Sequence, residues 1–94
     1  MDDNGFYVKC FPNPFTASTI LELTLPENAL VRIEIFNLLG ELVFVSEATD
    51  LFKGTRRITW SPPEGENHLY LYRVSMQPLS GPVRICTGRL IRTL

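Results

Sequence analysis

The stretch "STILELTL" (18–25) alternates clearly, with Ile20, Glu22 and Thr24 on one side and Leu21, Leu23 and Leu25 on the other. A period of two marks a strand with one buried face, and a helix cannot present that pattern to a core. "LVRIEIF" (30–36) repeats it: Val31, Ile33 and Ile35 share one face, with Arg32, Glu34 and Phe36 opposite. "FYVKCF" (6–11), "ELVFVSE" (41–47), "TRRITW" (55–60), "HLYLYRVSM" (68–76) and "VRICTGRLIRTL" (83–94) bring the strands to about seven. Turn residues separate them: "PEN" at 26–28, "NLLG" at 37–40, "SPPEGEN" at 61–67 and "QPLSGP" at 77–82. A helix fits only "ATDLFKG" (48–54), as a single turn. Short strands at this spacing predict an all-β, immunoglobulin-like antiparallel β-sandwich. With 94 residues, 45% of them hydrophobic, and a net charge of −1, the chain has enough apolar material for one modest core and is not disordered.

In "NLLG", Asn37 opens the turn and Gly40 takes the left-handed position that closes a hairpin. Leu38 and Leu39 then stand where polar residues usually do. The favoured reading is that one leucine folds back to cap the core; the alternative is an exposed apolar tip for a partner.

Charge is divided along the chain. Residues 1–50 hold two basic and eight acidic side chains, and residues 51–94 hold seven basic and two acidic. Early and late strands interleave in a sandwich, so cross-strand pairing explains the asymmetry better than a basic face for an anionic partner. A pI near 5.7 and scattered arginines also argue against nucleic-acid binding. No run reaches the length of a membrane span, and "MDDNG" is acidic where a secretory leader would be basic.

Catalytic groups are sparse. The aspartates are Asp2, Asp3 and Asp50, none beside a candidate base, and there is no phosphate loop. His68 is the lone histidine and reads as a solvated loop residue. Cys10 and Cys86 are too few for a metal site; they either pair, if the first and last strands are neighbours, or serve as small buried hydrophobes. No catalytic, cofactor or metal residue is assigned. Trp60, Tyr70 and Tyr72 would be the stacking platform of a small carbohydrate-binding domain, although Trp60, ending its strand, reads better as a core anchor.

Near the start, "KCFPNPFTAS" (9–18) places Pro12 and Pro14 on either side of Asn13, with Phe11 and Phe15 outside them. Each proline fixes its own φ, removes a donor and pushes the preceding residue toward extended backbone. The segment is a stiff elbow. Burial of Phe11 and Phe15, worth about 2–3 kcal/mol each, would pin it on both sides. The elbow would let the first strand leave one sheet and the second begin in the other.

Taken with the rest of the chain, these residues resemble the C-terminal sorting domain of type IX secretion cargo, the Por secretion tail. The likeness begins at "CFPNPFTASTILELTLPENALVRIEIFNLLGELV", similar to that family's Tyr-Pro-Asn-Pro-Phe segment, Ser/Thr-rich strand start, apolar-Pro turn and Leu-Gly hairpin. It resumes at "KGTRRITW", "LYLYRV" and "GRLIRTL". The chain differs at His68, where the family commonly has glycine, and in the short "SPPEGEN" loop.

The resemblance implies a non-catalytic address on a larger exported protein, not an enzyme. Residues 1–5 would be a linker or a remnant of excision, and residues 6–94 the sorting domain. The implied partners are the outer-membrane secretion translocon and a surface sortase. The implied itinerary is periplasm in transit, then outer-membrane surface or extracellular space. It also implies that the last strand carries the signal, at Gly88, Arg89, Leu90, Ile91 and Arg92. A terminal strand has an edge fit for strand addition, by a receptor or by a second copy in a strand-exchanged homodimer. The rival reading is a generic immunoglobulin-like structural or interaction module.

Overall fold

Alternating burial follows the sequence pattern directly. In the computed structural model, which describes residues 5–51, 53–63 and 68–93, Leu21, Leu23 and Leu25 are buried, as are Val31, Ile33 and Ile35. The strands are β1 (Tyr7–Phe11), β2 (Thr19–Leu25), β3 (Ala29–Phe36), β4 (Leu42–Leu51), β5 (Gly54–Trp60), β6 (Leu69–Pro78) and β7 (Arg84–Ile91). They form a three-stranded sheet in the order β1-β2-β5 and a four-stranded sheet in the order β4-β3-β6-β7, every pairing antiparallel. The result is an immunoglobulin-like β-sandwich, with no helix among the described residues.

The inner faces meet around Trp60. Its indole lies 5.0 Å from the Tyr70 ring, 6.3 Å from Phe15 and 6.4 Å from Phe44. The Phe44–Trp60 contact sets β4 over β5, and β1 lies against β7 at the other side of the sandwich. Leu90 on β7 and Val74 and Met76 on β6 complete the core with no exposed surface.

Several expectations need correction. β4 runs on through Leu51, which pairs with Ala29, and β5 begins at Gly54, so "ATDLFKG" holds two strand ends with a bend at Lys53 and not a helical turn; Phe52 lies outside the described residues. β6 extends through Gln77 and Pro78, which pair with Leu30 and Ala29, and this shortens the following loop. The elbow does not carry the chain between sheets: β1 and β2 pair with each other in register from Tyr7↔Thr24 to Phe11↔Ile20. Phe15 is buried but Phe11 is 39% exposed. The cause is parity, since Val8 and Cys10 take the inward positions of β1, in step with the buried Phe6 just before it, and Phe11 must point out. Of the "SPPEGEN" loop, residues 64–67 lie outside the described residues.

The hairpin at "NLLG" has the expected backbone. Gly40 has φ +83°, and its N–H donates to the Asn37 carbonyl at 3.0 Å. Asn37 also accepts at Oδ1 from the N–H groups of Leu39 and Glu41 and donates from Nδ2 to the Glu41 carboxylate. That tight turn leaves no slack for a leucine to fold back. Leu38 is 67% and Leu39 84% exposed, so neither caps the core.

The charge asymmetry resolves into cross-strand pairs. Glu22 of β2 meets Arg57 of β5 at 2.8 Å, and Glu34 of β3 meets Arg73 of β6 at 2.7 Å. Arg32 bridges Glu34 at 3.1 Å and also contacts Glu47 of β4.

Candidate recognition site

β7 runs along one side of the four-stranded sheet, bonded to β6 from Leu69↔Ile91 to Met76↔Arg84. Its opposite edge is met by the elbow. Asn13 Nδ2 donates to the Arg89 carbonyl at 2.8 Å, and Asn13 Oδ1 accepts from the Ile91 N–H at 2.9 Å. One side-chain amide thus fills two consecutive ladder positions as a neighbouring strand would. The Phe15 N–H then donates to the Ile91 carbonyl at 2.8 Å, and the Thr93 N–H donates to the Phe15 carbonyl at 2.7 Å, a short parallel bridge. The Thr19 hydroxyl, fully buried, donates to the Pro12 carbonyl and fixes the elbow from below. Both Phe11–Pro12 and Asn13–Pro14 peptide bonds are cis.

The five predicted signal residues divide into two groups. Gly88 makes room: a Cβ there would lie 2.4 Å from the Tyr72 hydroxyl oxygen and 2.5 Å from its Cζ, so the Tyr72 ring occupies the space that a side chain would need. Leu90 is in the core. Arg92 is tied down, its N–H donating to the His68 carbonyl and its guanidinium to the Thr16 and Pro63 carbonyls. Arg89 and Ile91 point outward and are exposed. Arg89 stands at the rim of a shallow groove on the outer face, lined also by Phe36, Leu71, Arg73 and Thr87. Arg73 lies over the Phe36 ring at 5.4 Å.

The edge is therefore closed where openness was expected and open further back. The outward groups of Arg89 and Ile91 fix the parity, which turns the backbone N–H and carbonyl of Thr87 and Ile85 the same way. Among the described residues, no hydrogen bond covers those positions. Sequence reasoning named Asn13 as part of a stiff elbow and missed that its amide binds β7. The signal was there: between two prolines, which donate nothing, an asparagine is the polar group left to satisfy a neighbour.

The aromatic trio does not form a stacking platform. Trp60 is 4%, Tyr70 2% and Tyr72 9% exposed, all facing the core. The carbohydrate-binding reading loses its residues by this placement. His68 is exposed and precedes β6, contributing its carbonyl to Arg92.

Electrostatics at the neighbouring ladder are settled by pairing. Burial pushes the Glu34 carboxyl up, but hydrogen bonds and charge from Arg73 and Arg32 outweigh it and hold the pKa below its ordinary value.

The architecture defines the chain as a small immunoglobulin-like sandwich whose last strand is clamped by a proline elbow. In three-dimensional comparison it is similar to the crystal structure of CopC from Methylosinus trichosporium OB3b, with a TM-score of 0.64 and 17% identity over 93% of this chain and 92% of that one. At that identity the likeness concerns the fold. The family of secretion system C-terminal sorting domains matches residues 9–77, and the chain belongs to that family. No curated protein matches the sequence.

Proposed function

We propose that this domain is a non-catalytic delivery signal, directing a larger exported protein through the type IX secretion system to the cell surface. It crosses the periplasm, is bound by the outer-membrane translocon, and is then handled by a surface sortase at the outer-membrane surface or in the extracellular space. The observation that carries this reading is the family match over residues 9–77, which spans the elbow, the hairpin and β6 as far as Gln77. The clamped last strand supports it in physical terms. A receptor that must recognise many cargoes needs a surface held in one geometry whatever protein precedes it, and preorganisation lowers the ordering cost of binding.

Recognition is assigned to the outer surface of β7: the side chains of Arg89 and Ile91, with the backbone edge at Ile85 and Thr87 available for strand addition. Gly88, Leu90 and Arg92 hold that surface in place. The test is a periplasmically targeted fluorescent reporter bearing residues 6–94 in a bacterium with this secretion system. The fusion is expected at the surface or in the medium. A variant carrying Arg89→Glu and Ile91→Ser should melt within about 3 °C of the parent, since exposed positions contribute little to stability, yet stay in the periplasm. Normal export of that variant places recognition elsewhere. Retention of the parent fusion sinks the sorting reading and leaves an immunoglobulin-like structural module. Deleting residues 88–94 is a poorer test, because it takes Leu90 out of the core and confounds recognition with folding.

A further inference from the structure

β1 and β7 border their respective sheets and lie against each other across the sandwich. On β1, Cys10 takes an inward position after Val8; on β7, Cys86 takes one before Gly88 and Leu90. Both cysteines are thiols, half-buried and packed against the core. The Tyr72 ring crosses over Gly88 and brings its hydroxyl to this place, where it hydrogen-bonds Cys10 and lies within electrostatic reach of Cys86. A charge on Cys86 would further disfavour ionisation of Cys10, so the two side chains lie within reach of each other. Two residues near opposite ends of the chain therefore lie beside one tyrosine hydroxyl, one on each sheet, where β1 and β7 meet.

We propose that Cys10 and Cys86 form an intrachain disulfide that staples the two sheets together along the β1–β7 border. In the reaction two S–H bonds break and one S–S bond forms. Two electrons and two protons pass to an exchangeable disulfide, either that of a thiol–disulfide oxidoreductase or oxidised glutathione, which leaves as two thiols. One protein thiolate attacks the donor disulfide to give a mixed disulfide, and the second displaces the remaining donor thiol. Where the bond forms rests on the export reading, since oxidising compartments lie outside the cytoplasm; the capacity to form it does not. Closing so long a loop constrains the unfolded chain strongly. It would also tie β7, the strand assigned to recognition, to the other sheet.

Burial, opposed by the Tyr72 hydrogen bond, pushes the Cys10 thiol up to about 11, so its thiolate is scarce at neutral pH. Oxidation is therefore followed at mildly alkaline pH. The folded 94-residue chain is incubated with oxidised and reduced glutathione, quenched with iodoacetamide, and read by intact mass and by proteolytic mapping. The expected product is a monomer that has lost two hydrogens, takes no alkyl group, and yields the Cys10 and Cys86 peptides joined. Its melting temperature should exceed that of the reduced chain by at least about 5 °C. Cys10→Ser and Cys86→Ser should each abolish the mass loss. Two thiols that stay alkylatable in the folded chain, glutathione adducts stalled at either cysteine, or cross-links only between chains would each overturn the proposal. None of these readouts depends on export, so a chain that forms the bond and is not exported counts against the sorting function alone.

Discussion

Glu34 shows how one side chain carries the link between the acidic and basic halves of the sequence. Its carboxylate accepts from Arg73 at 2.7 Å and from Arg32 at 3.1 Å, on the outer face of the central strands. The arginines are 47% and 41% exposed, so solvent screens them and the pairs are worth far less than buried ones. Replacing Glu34 by Gln should cost about 1 kcal/mol at neutral pH. Because the folded-state pKa is lowered, the unfolded chain takes up the proton first, so the stabilisation is complete above the ordinary glutamate pKa of about 4.3 and fades as pH falls below it. Denaturant melts of parent and Glu34→Gln across that range should converge at the acid end; a gap that persists there would show that Glu34 acts through packing and not through charge. The pairing of Glu34 was legible in the alternation of "LVRIEIF", which sets Arg32 and Glu34 on one face. The fate of Phe11 was legible too, through parity with Val8 and Cys10, and was overridden by the expectation that an aromatic beside an elbow must be buried. That Asn13 needed a polar partner was legible from its flanking prolines, but which partner was not. Its partners Arg89 and Ile91 lie at the far end of the chain, and no local rule connects an asparagine to a strand edge so distant.

At the scale of elements, the elbow and β7 are one unit. The elbow contributes a side-chain amide and one backbone residue to a strand edge that would otherwise continue open from Ile85 to Ile91. Removing the amide by Asn13→Ala leaves the Arg89 carbonyl and Ile91 N–H to water, and both bonds lie at an exposed place. The cost should be about 1–2 kcal/mol, the sum of two modest net hydrogen bonds. It should appear first as local opening, so that the Ile91 amide exchanges with solvent about tenfold faster while the Val74 and Leu71 amides on β6 keep their protection. Uniform acceleration across β6 and β7 would mean that the elbow holds the whole sheet and not its edge alone. The seven strands and the Gly40 hairpin could be read from periodicity and turn chemistry, because these are local. The sheet order could not. Which strand pairs with which depends on how the inner faces close around Trp60, and the mistaken idea that the elbow switches sheets arose from treating stiffness as direction.

For the whole molecule, the open stretch of β7 and its short connection to β6 decide how two copies can interact. Only residues 79–83 separate Pro78 from Arg84, and Gln77 Nε2 holds that loop by donating to the Pro78 and Gly81 carbonyls. A β7 that leaves its own sandwich and inserts into another chain's would re-form the same ladder with β6 and the same bonds to the elbow. The balance between monomer and exchanged dimer then rests on two remaining quantities, the association entropy and the strain in the loop. With five residues the loop can turn back, and the monomer should dominate at low concentration, with exchanged dimer growing in as concentration rises. Deleting residues 79–81 removes the length needed to turn, while β7 keeps all its pairing residues, so the shortened chain should be dimeric throughout. Sedimentation velocity over a wide concentration range separates the outcomes. A shortened chain that remains a folded monomer, or a parent that shows no dimer at the highest concentration, would remove strand exchange and leave the exposed edge at Ile85 and Thr87 to a different partner. If exchange does occur, the same experiment under oxidising conditions carries a further consequence: a β7 stapled through Cys86 to its own β1 cannot leave, so the disulfide should abolish the dimer unless it forms after exchange, when it would join two chains and survive denaturation.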